Sequence, residues 1–459
     1  MTPDAVPPEV TGLPGRKVTR RRFLTGLGAA GTLAAGGYAV SVWARDGGDE
    51  RAATPTSARS RTASTSSPAR TDGVATDRTL VILELGGGND GLSFVVPHGD
   101  RRYRDLRPTL GVDDPIDLDG EIGLHTALTT LGKEWEAGHL AVVEGVGYPN
   151  PDLSHFASLA VWWHGDPEAV GGTGWLGRYL DATVGFDDPL AAIAIGTGPS
   201  PALAGDASFA TSIAGADGLQ PDLPIDDATR DLLMDAWAGF GSTSGGGATA
   251  RIRRAIAETA EARTRLTRLL ASSGRSGPQQ AEPGQAEPGG RPGARRRGRG
   301  TGDLAGALEL AVALAGSAEP PRLIHVRASG DFDTHQGQAA RYPALMEQLE
   351  EGLSAYTAAL AAGGAGSRTA LMTTSEFGRR AQENGDGTDH GTAAPHLIVG
   401  EGVKGGRYGE PPDLARLDAD GNLVHTVDYR RYYATVLAGW LGADPEPILG
   451  AFEPLPVFA

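Results

Sequence analysis

The chain has 459 residues, a formal charge of −16 and no cysteine, and it is long enough to bury a core without cross-links. With no thiol there are no disulfides, cysteine-ligated metals, thiol nucleophiles or sulfatase-type converted cysteine, and the acidic balance argues against a general nucleic-acid binder. Gly (68) and Pro (31) are abundant, but without the period of collagen.

The first 78 residues carry 11 Lys and Arg against 7 Asp and Glu, and the remainder 30 against 50, so a basic head precedes an acidic body. In the head, Thr19-Arg20-Arg21-Arg22-Phe23-Leu24 places two arginines, a variable residue and two large apolar residues in a row. An uncharged stretch, Gly26 to Trp43, follows and ends in Val42-Trp43-Ala44. The pattern predicts a twin-arginine (Tat) signal over residues 1–44 and export to the periplasm, cell envelope or exterior. The Tat machinery would be its partner, and this segment the chain's only membrane contact. About 18 apolar residues also suffice for an uncleaved anchor.

Residues 45–78 are Ser, Thr, Ala, Arg and Pro with almost no large apolar side chain, which predicts a flexible tether. The body, 79–459, alternates strand and helix. Unalternating apolar runs at Leu80–Leu85, Leu140–Val143, Ala192–Ile195, Leu323–Val326, Ala370–Met372 and His396–Val399 suit strands buried on both faces. Helical spacing recurs at 124–136, 156–163, 175–182, 228–237, 250–270, 304–314, 342–362 and 429–441. Residues 272–302 interrupt the body with a near-duplicated Gln-Ala-Glu-Pro-Gly and the run Arg295-Arg296-Arg297-Gly298-Arg299. This is a solvated insertion or a basic patch for an anionic surface. The fold class expected is α/β, a mostly parallel sheet sandwiched by helices. In such sheets ligands sit beyond the carboxyl ends of strands.

Polar clusters occupy those ends. The first strand runs into Gly86-Gly87-Gly88-Asn89-Asp90, which is either a tight turn or a ligand-bearing loop. Tyr148 to Phe156 follows the next strand, and Ser154 stands at a helix start as an N-cap or as a nucleophile aimed by the helix dipole. Later ends bring Asp333, His335, Glu376, Asp389 and His390. With Asp90 these are carboxylates and imidazoles without sulfur, a set that suits a divalent metal: Zn, Mn, Mg, Ca or Fe.

The segments "LVILELGGGNDGLSFVVPHGD", "LAVVEGVGYPNPDLSHF", "FDTHQGQ", "SEFGRR" and "NGDGTDHGTA" resemble the Tat-exported bacterial family called domain of unknown function 1501, over roughly Thr79 to Leu441. That family belongs with the alkaline phosphatase and sulfatase superfamily. The resemblance implies an alkaline-phosphatase-like fold with two metals at the carboxyl edge of the sheet. A hydroxyl between the metals would attack phosphorus or sulfur. Asp90 resembles the first-strand ligand, and Ser154 sits where the nucleophile belongs. Asp333 and His335 resemble an Asp/His ligand cluster, Glu376 stands where an Asp-His pair is usual, and His390 resembles the last His before Gly. There are departures: Asp333 and His335 lie closer together than is usual, Phe377 follows Glu376 where a His is expected, and Ser154 lacks the Pro and Arg of sulfatases.

The expectation is an exported metal-dependent hydrolase of anionic, phosphate-type esters, small or polymeric. Ser154 would be the nucleophile, Arg379 would hold a substrate oxygen, and Asp90, Asp333, His335, Glu376, Asp389 and His390 would hold the metal. The alternative is a non-catalytic secreted protein that binds glycan or polymer through Trp162, Trp163, Trp175 and His164.

Overall fold

The computed structural model describes the backbone of residues 30–35 and 38–43, and residues 77–458 apart from 169–170, 186–187, 197, 209, 214–235, 237–238, 240–247, 273–302 and 329. The twin-arginine motif, the tether at 45–76, the Arg-rich insertion and all but Ala236 of the helix expected at 228–237 lie outside these residues.

Each of the six apolar runs forms a strand. β1 (Ala30–Ala35) and β2 (Tyr38–Trp43) are known by backbone alone and fall within the apolar stretch of the head. β3 (Thr79–Glu84) opens the body. β4 (Val95–Val96), β5 (Ile116–Asp117) and β6 (Gly123–Leu124) form a small separate sheet. β7 (Leu140–Gly147), β8 (Ala192–Ile195), β9 (Thr211–Ile213), β10 (Leu323–Arg327), β11 (Thr369–Thr374), β12 (Ala394–Val399), β13 (Gly406–Tyr408) and β14 (Val427–Asp428) complete the set. The main sheet has the order β1-β2-β9-β8-β10-β3-β11-β12-β7-β13, with β14 also on β7. The strands from β9 through β11 are mutually parallel. β12 runs against both its neighbours, so β7 shares the direction of β3.

Among the described residues, the helices of eight residues or more are α1 (Thr129–Glu136), α2 (His155–His164), α3 (Trp175–Thr183), α4 (Ala248–Ser272), α5 (Leu304–Ala315), α6 (Gln338–Gly363) and α7 (Tyr429–Gly439). Alternate residues of each strand feed two cores. Val81, Leu83, Ile324 and Val326 pack with Leu308 of α5 and Met346 of α6. Leu80, Ile82, Leu323 and Met372 pack with Trp162 of α2, Tyr179 of α3 and Tyr433 of α7. This is the mostly parallel sheet between helical layers that was expected, and each face removes enough apolar area from water to hold its layer. No helix among the described residues is long and apolar enough to cross a membrane.

The packing also answers a question about the aromatics. Trp162, Trp175 and His164 are buried, and Trp175 stacks on Tyr433 with ring centroids 4.1 Å apart. These three are core residues and present no surface to a glycan; Trp163, the fourth, is half-buried and donates its indole N–H to Glu84 at 2.9 Å.

Candidate metal centre

Parallel strands align their carboxyl ends, so the loops after β3, β7, β10 and β11 meet at one edge. Two devices hold them there. The first is the glycine turn after β3. Gly87 has φ +117°, and a Cβ there would lie 2.5 Å from the Asp333 amide nitrogen. Only glycine allows this approach. The second is Arg379, whose side chain is fully buried. It donates to the carbonyls of Gly88 (2.7 Å), Thr388 (2.8 Å), Gly87 (2.6 Å) and Phe332 (3.1 Å), and to Asp333 Oδ1 at 2.6 Å.

Three imidazoles surround Asp333. His390 Nε2 and His335 Nε2 each lie 3.2 Å from Asp333 Oδ1 and 2.9 Å from one another. His155 Nε2 is 3.4 Å from Asp333 Oδ2. The other nitrogen of each ring is committed. His390 Nδ1 faces the Leu153 carbonyl at 2.7 Å, His335 Nδ1 faces Asp389 Oδ1 at 3.2 Å, and His155 Nδ1 faces Glu376 Oε1 at 2.9 Å. A carbonyl or carboxylate only accepts, so all three Nδ1 atoms carry the proton. In the neutral rings the three Nε2 lone pairs therefore converge on one carboxylate. Convergent lone pairs repel unless a cation sits among them, and anchoring the remote nitrogen on a carboxylate or carbonyl is how proteins orient metal-binding histidines. The ligand atoms of His155, Asp333 and His390 lie within 4.8 Å of one another, a spacing that could hold an ion.

The electrostatics agree. Burial would raise the Asp333 carboxyl, but the Arg379 guanidinium hydrogen-bonded to it holds it at about 2, so it is ionised at any ordinary pH. Glu376 hydrogen-bonded to Nδ1 pushes the His155 imidazole up, whereas burial pushes that of His390 down.

The structure brings Asp333, His335 and His390 together, with Glu376 and Asp389 in contact with histidine rings of the same cluster. Glu376 accepts from Gly87 N–H (2.8 Å) and from His155, and Asp389 accepts from His335 and from the Asn384 side chain at 3.1 Å. Each carboxylate fixes a histidine through one oxygen, Oε1 of Glu376 and Oδ1 of Asp389, and Glu376 Oε2 is buried without a hydrogen-bond partner. Two expectations are corrected. Asp90, expected as a metal ligand, is fully buried and bound by Arg107 at 2.6 and 2.9 Å, by Ser93 at 2.7 Å and by the Gln338 amide at 2.5 Å, so both its oxygens are taken. Arg379, expected to hold a substrate oxygen, has every nitrogen engaged with the protein and serves as the clamp described above. Ser154 is exposed, caps α2 without a side-chain hydrogen bond and is not drawn into the cluster.

His155 was missed. It follows Ser154 in the strand-end loop, and the rule that selected His335 and His390 would have selected it too. The adjacent Ser154, a hydroxyl at a helix start, gives the same loop a competing reading.

Three solved structures are similar to this chain at low identity. Ps i-CgsB, solved in complex with k-i-k-neocarrahexaose, is 11% identical with TM-score 0.36, over 82% of this chain and 75% of that one. The alkaline phosphatase of the Antarctic bacterium TAB5 is 13% identical with TM-score 0.29, over 71% of this chain and 92% of that one. A mutant of it with Mg bound in the M3 site is 12% identical with TM-score 0.30, over the same shares. No curated protein matches the sequence. The family model described as "Protein of unknown function (DUF1501)" matches residues 141–452, more than half of the chain, and the protein belongs to that family.

Proposed function

We propose that the protein is an exported metal-dependent hydrolase of phosphate-type esters, with its ion held by Asp333, His155, His335 and His390. One observation carries this reading: three imidazoles whose Nδ1 protons are all anchored turn their Nε2 atoms toward one ionised carboxylate. Three nitrogens and one carboxylate oxygen favour Zn, Mn or Fe over Mg or Ca, which prefer oxygen. A bound ion would supply positive charge to an anionic ester and lower the pKa of an oxygen nucleophile.

The chain's own groups divide the remaining work. Arg379 fixes Asp333, Glu376 fixes His155, Asp389 fixes His335, and the Leu153 carbonyl fixes His390. Ser154 stands beside His155 at the N-terminus of α2, where exposed amide N–H groups favour an anionic group. It is the candidate nucleophile.

Protein purified without chelator should contain a first-row metal and turn over an aryl phosphate. Chelation should lower Tm, and the metal should restore it by mass action, by about 2.7 kcal/mol at a hundredfold excess over Kd. His155→Ala and His390→Ala should lose both the metal response and turnover, and Ser154→Ala only turnover. Metal-blind melting of the wild type would end the proposal. Metal binding without turnover would instead leave an ion-dependent binding protein. The export half has its own test: Arg20→Lys with Arg21→Lys should retain the protein in the cytoplasm, and unchanged export would remove the Tat assignment.

A further inference from the structure

Strand β7 changes partners along its length. β13 pairs with Ala141–Val143 and β14 with Val146–Gly147, which leaves Glu144 and Gly145 between them on that side. On the other side the β12 register shifts between Ala394 and His396, at Pro395, which has no N–H to donate. Gly145 takes φ +63°, and its carbonyl accepts from Thr426 N–H at 2.9 Å. The segment between β13 and β14 therefore arches away from the sheet and brings Pro411, Pro412, Leu414 and Leu423 over the gap. The result is a cavity of ≈ 330 Å³ that shares no lining residue with the histidine cluster, and its size is that of a small-molecule site.

Its chemistry is one-sided. The walls are aliphatic (Leu92, Val95, Ile122, Leu414 and Leu423), with prolines that make them stiff. Four carboxylates line it, Asp100, Glu121, Glu144 and Asp413, against the single cation Arg407. Arg407 is spent: Nη1 donates to Asp119 at 3.0 Å, and Nε and Nη2 donate to Glu144 at 3.2 and 3.1 Å. Asp100 is paired with Arg102 and Asp413 with Arg416. Glu121 has no ion-pair partner among the described residues. Burial pushes the Glu144 carboxyl up even beside Arg407, which marks a floor of low polarity. A guest matched to this cavity has an aliphatic body and one positive end. No aromatic ring lines it, so neither a cation–π cage for a quaternary ammonium nor a stacking platform is present.

We propose that this cavity is a second ligand site, for a small primary aliphatic amine whose ammonium group lies toward Glu121 and whose chain lies among Leu92, Val95 and Leu414. The probes are hexylammonium, hexanoate and hexanol, titrated by calorimetry into the full-length protein with metal present. Hexylammonium should bind more tightly than hexanol, hexanoate should not bind, and raising the salt should weaken only hexylammonium. Glu121→Lys, at an exposed rim position, should weaken hexylammonium about fivefold or more and leave hexanol unchanged. Leu414→Trp, which fills the cavity, should abolish binding of both. Equal binding of hexanoate and hexylammonium, no binding of hexylammonium at millimolar concentration, or binding untouched by both substitutions would each overturn the proposal. None of these readouts depends on turnover at the histidine cluster.

Discussion

The Asp90–Arg107 pair is the most instructive detail among single residues. An aspartate directly after the first strand, at the edge where ligands gather, reads as a ligand. The structure instead buries it completely, with Arg107 as its counter-ion. Burial raises the Asp90 carboxyl, and Arg107 together with the hydrogen bonds from Ser93 and Gln338 more than reverses the effect, so both partners of the ion pair stay charged. Such a pair adds little net stability, but breaking it strands a buried charge. Arg107→Met should therefore cost about 3–5 kcal/mol in urea unfolding, whereas Asp90→Leu with Arg107→Met should recover most of that loss. A mild, additive loss from both changes would mean that the pair is not coupled. Asp90→Asn, which keeps the shape and several hydrogen bonds, should also keep the metal-dependent rise in Tm. Loss of that rise in a folded Asp90→Asn protein would return Asp90 to the ligand set.

Among the elements, the turn after β3 shows how a short segment serves both fold and site. Gly87→Ala would press a methyl group against the backbone nitrogens of Phe332 and Asp333, 2.8 and 2.5 Å away, at a φ that L residues avoid. It should destabilise the fold by about 1–3 kcal/mol and move Asp333 enough to weaken metal affinity about tenfold or more. Calorimetric titration set beside Gly185→Ala, which has positive φ but open space around it, separates strain from displacement. The same elements show what a sequence can reveal. The six strands of four residues or more in the body and its major helices were legible, because burial on two faces or one stripe leaves an apolar period; β1 and β2, in a stretch read as a signal, were not. The reversed direction of β12 was not, because an apolar run reads alike either way along the sheet. β13 and β14 were not legible either: at three and two residues they are too short to carry a period, yet they frame the cavity beside Glu144. At the cluster, Asp333, His335 and His390 were legible from strand-end placement. The roles of Glu376 and Asp389 depend on which atom faces which ring, and spacing does not encode that.

For the molecule as a whole, the buried histidines set the response to acid. His396 of β12 lies between the sheet and α7, near-parallel to Tyr432 at 5.5 Å and tilted against Trp162 at 5.1 Å. Burial drives its imidazole from the ordinary 6.5 down to about 3, and burial takes His125, beside Tyr342, down to about 4. Between the ordinary and the lowered values the unfolded chain binds protons that the folded chain refuses, so stability falls as pH falls from about 6.5. Near complete burial makes the His396 contribution the cleaner one, about 1 kcal/mol for each pH unit in that window. Asp333 acts in a separate, lower window: its folded value is depressed from 3.8 to about 2, so its contribution is whole above the ordinary value and disappears only on the way down to about 2. His155 has the opposite sign. Its raised value means that, in metal-free protein, its ion pairs with Glu376 and Asp333 are whole in acid and are lost as pH rises through the folded value. Metal binding needs the neutral ring, so affinity should increase with pH over the same range. Metal-free protein should thus be most stable near neutrality, and added metal should move that optimum upward. His396→Phe keeps the ring contacts and removes the titration. Its Tm should decline less steeply than that of the wild type between pH 6.5 and 4, with metal present or absent. Parallel Tm curves for the two proteins would show that acid attacks the fold elsewhere.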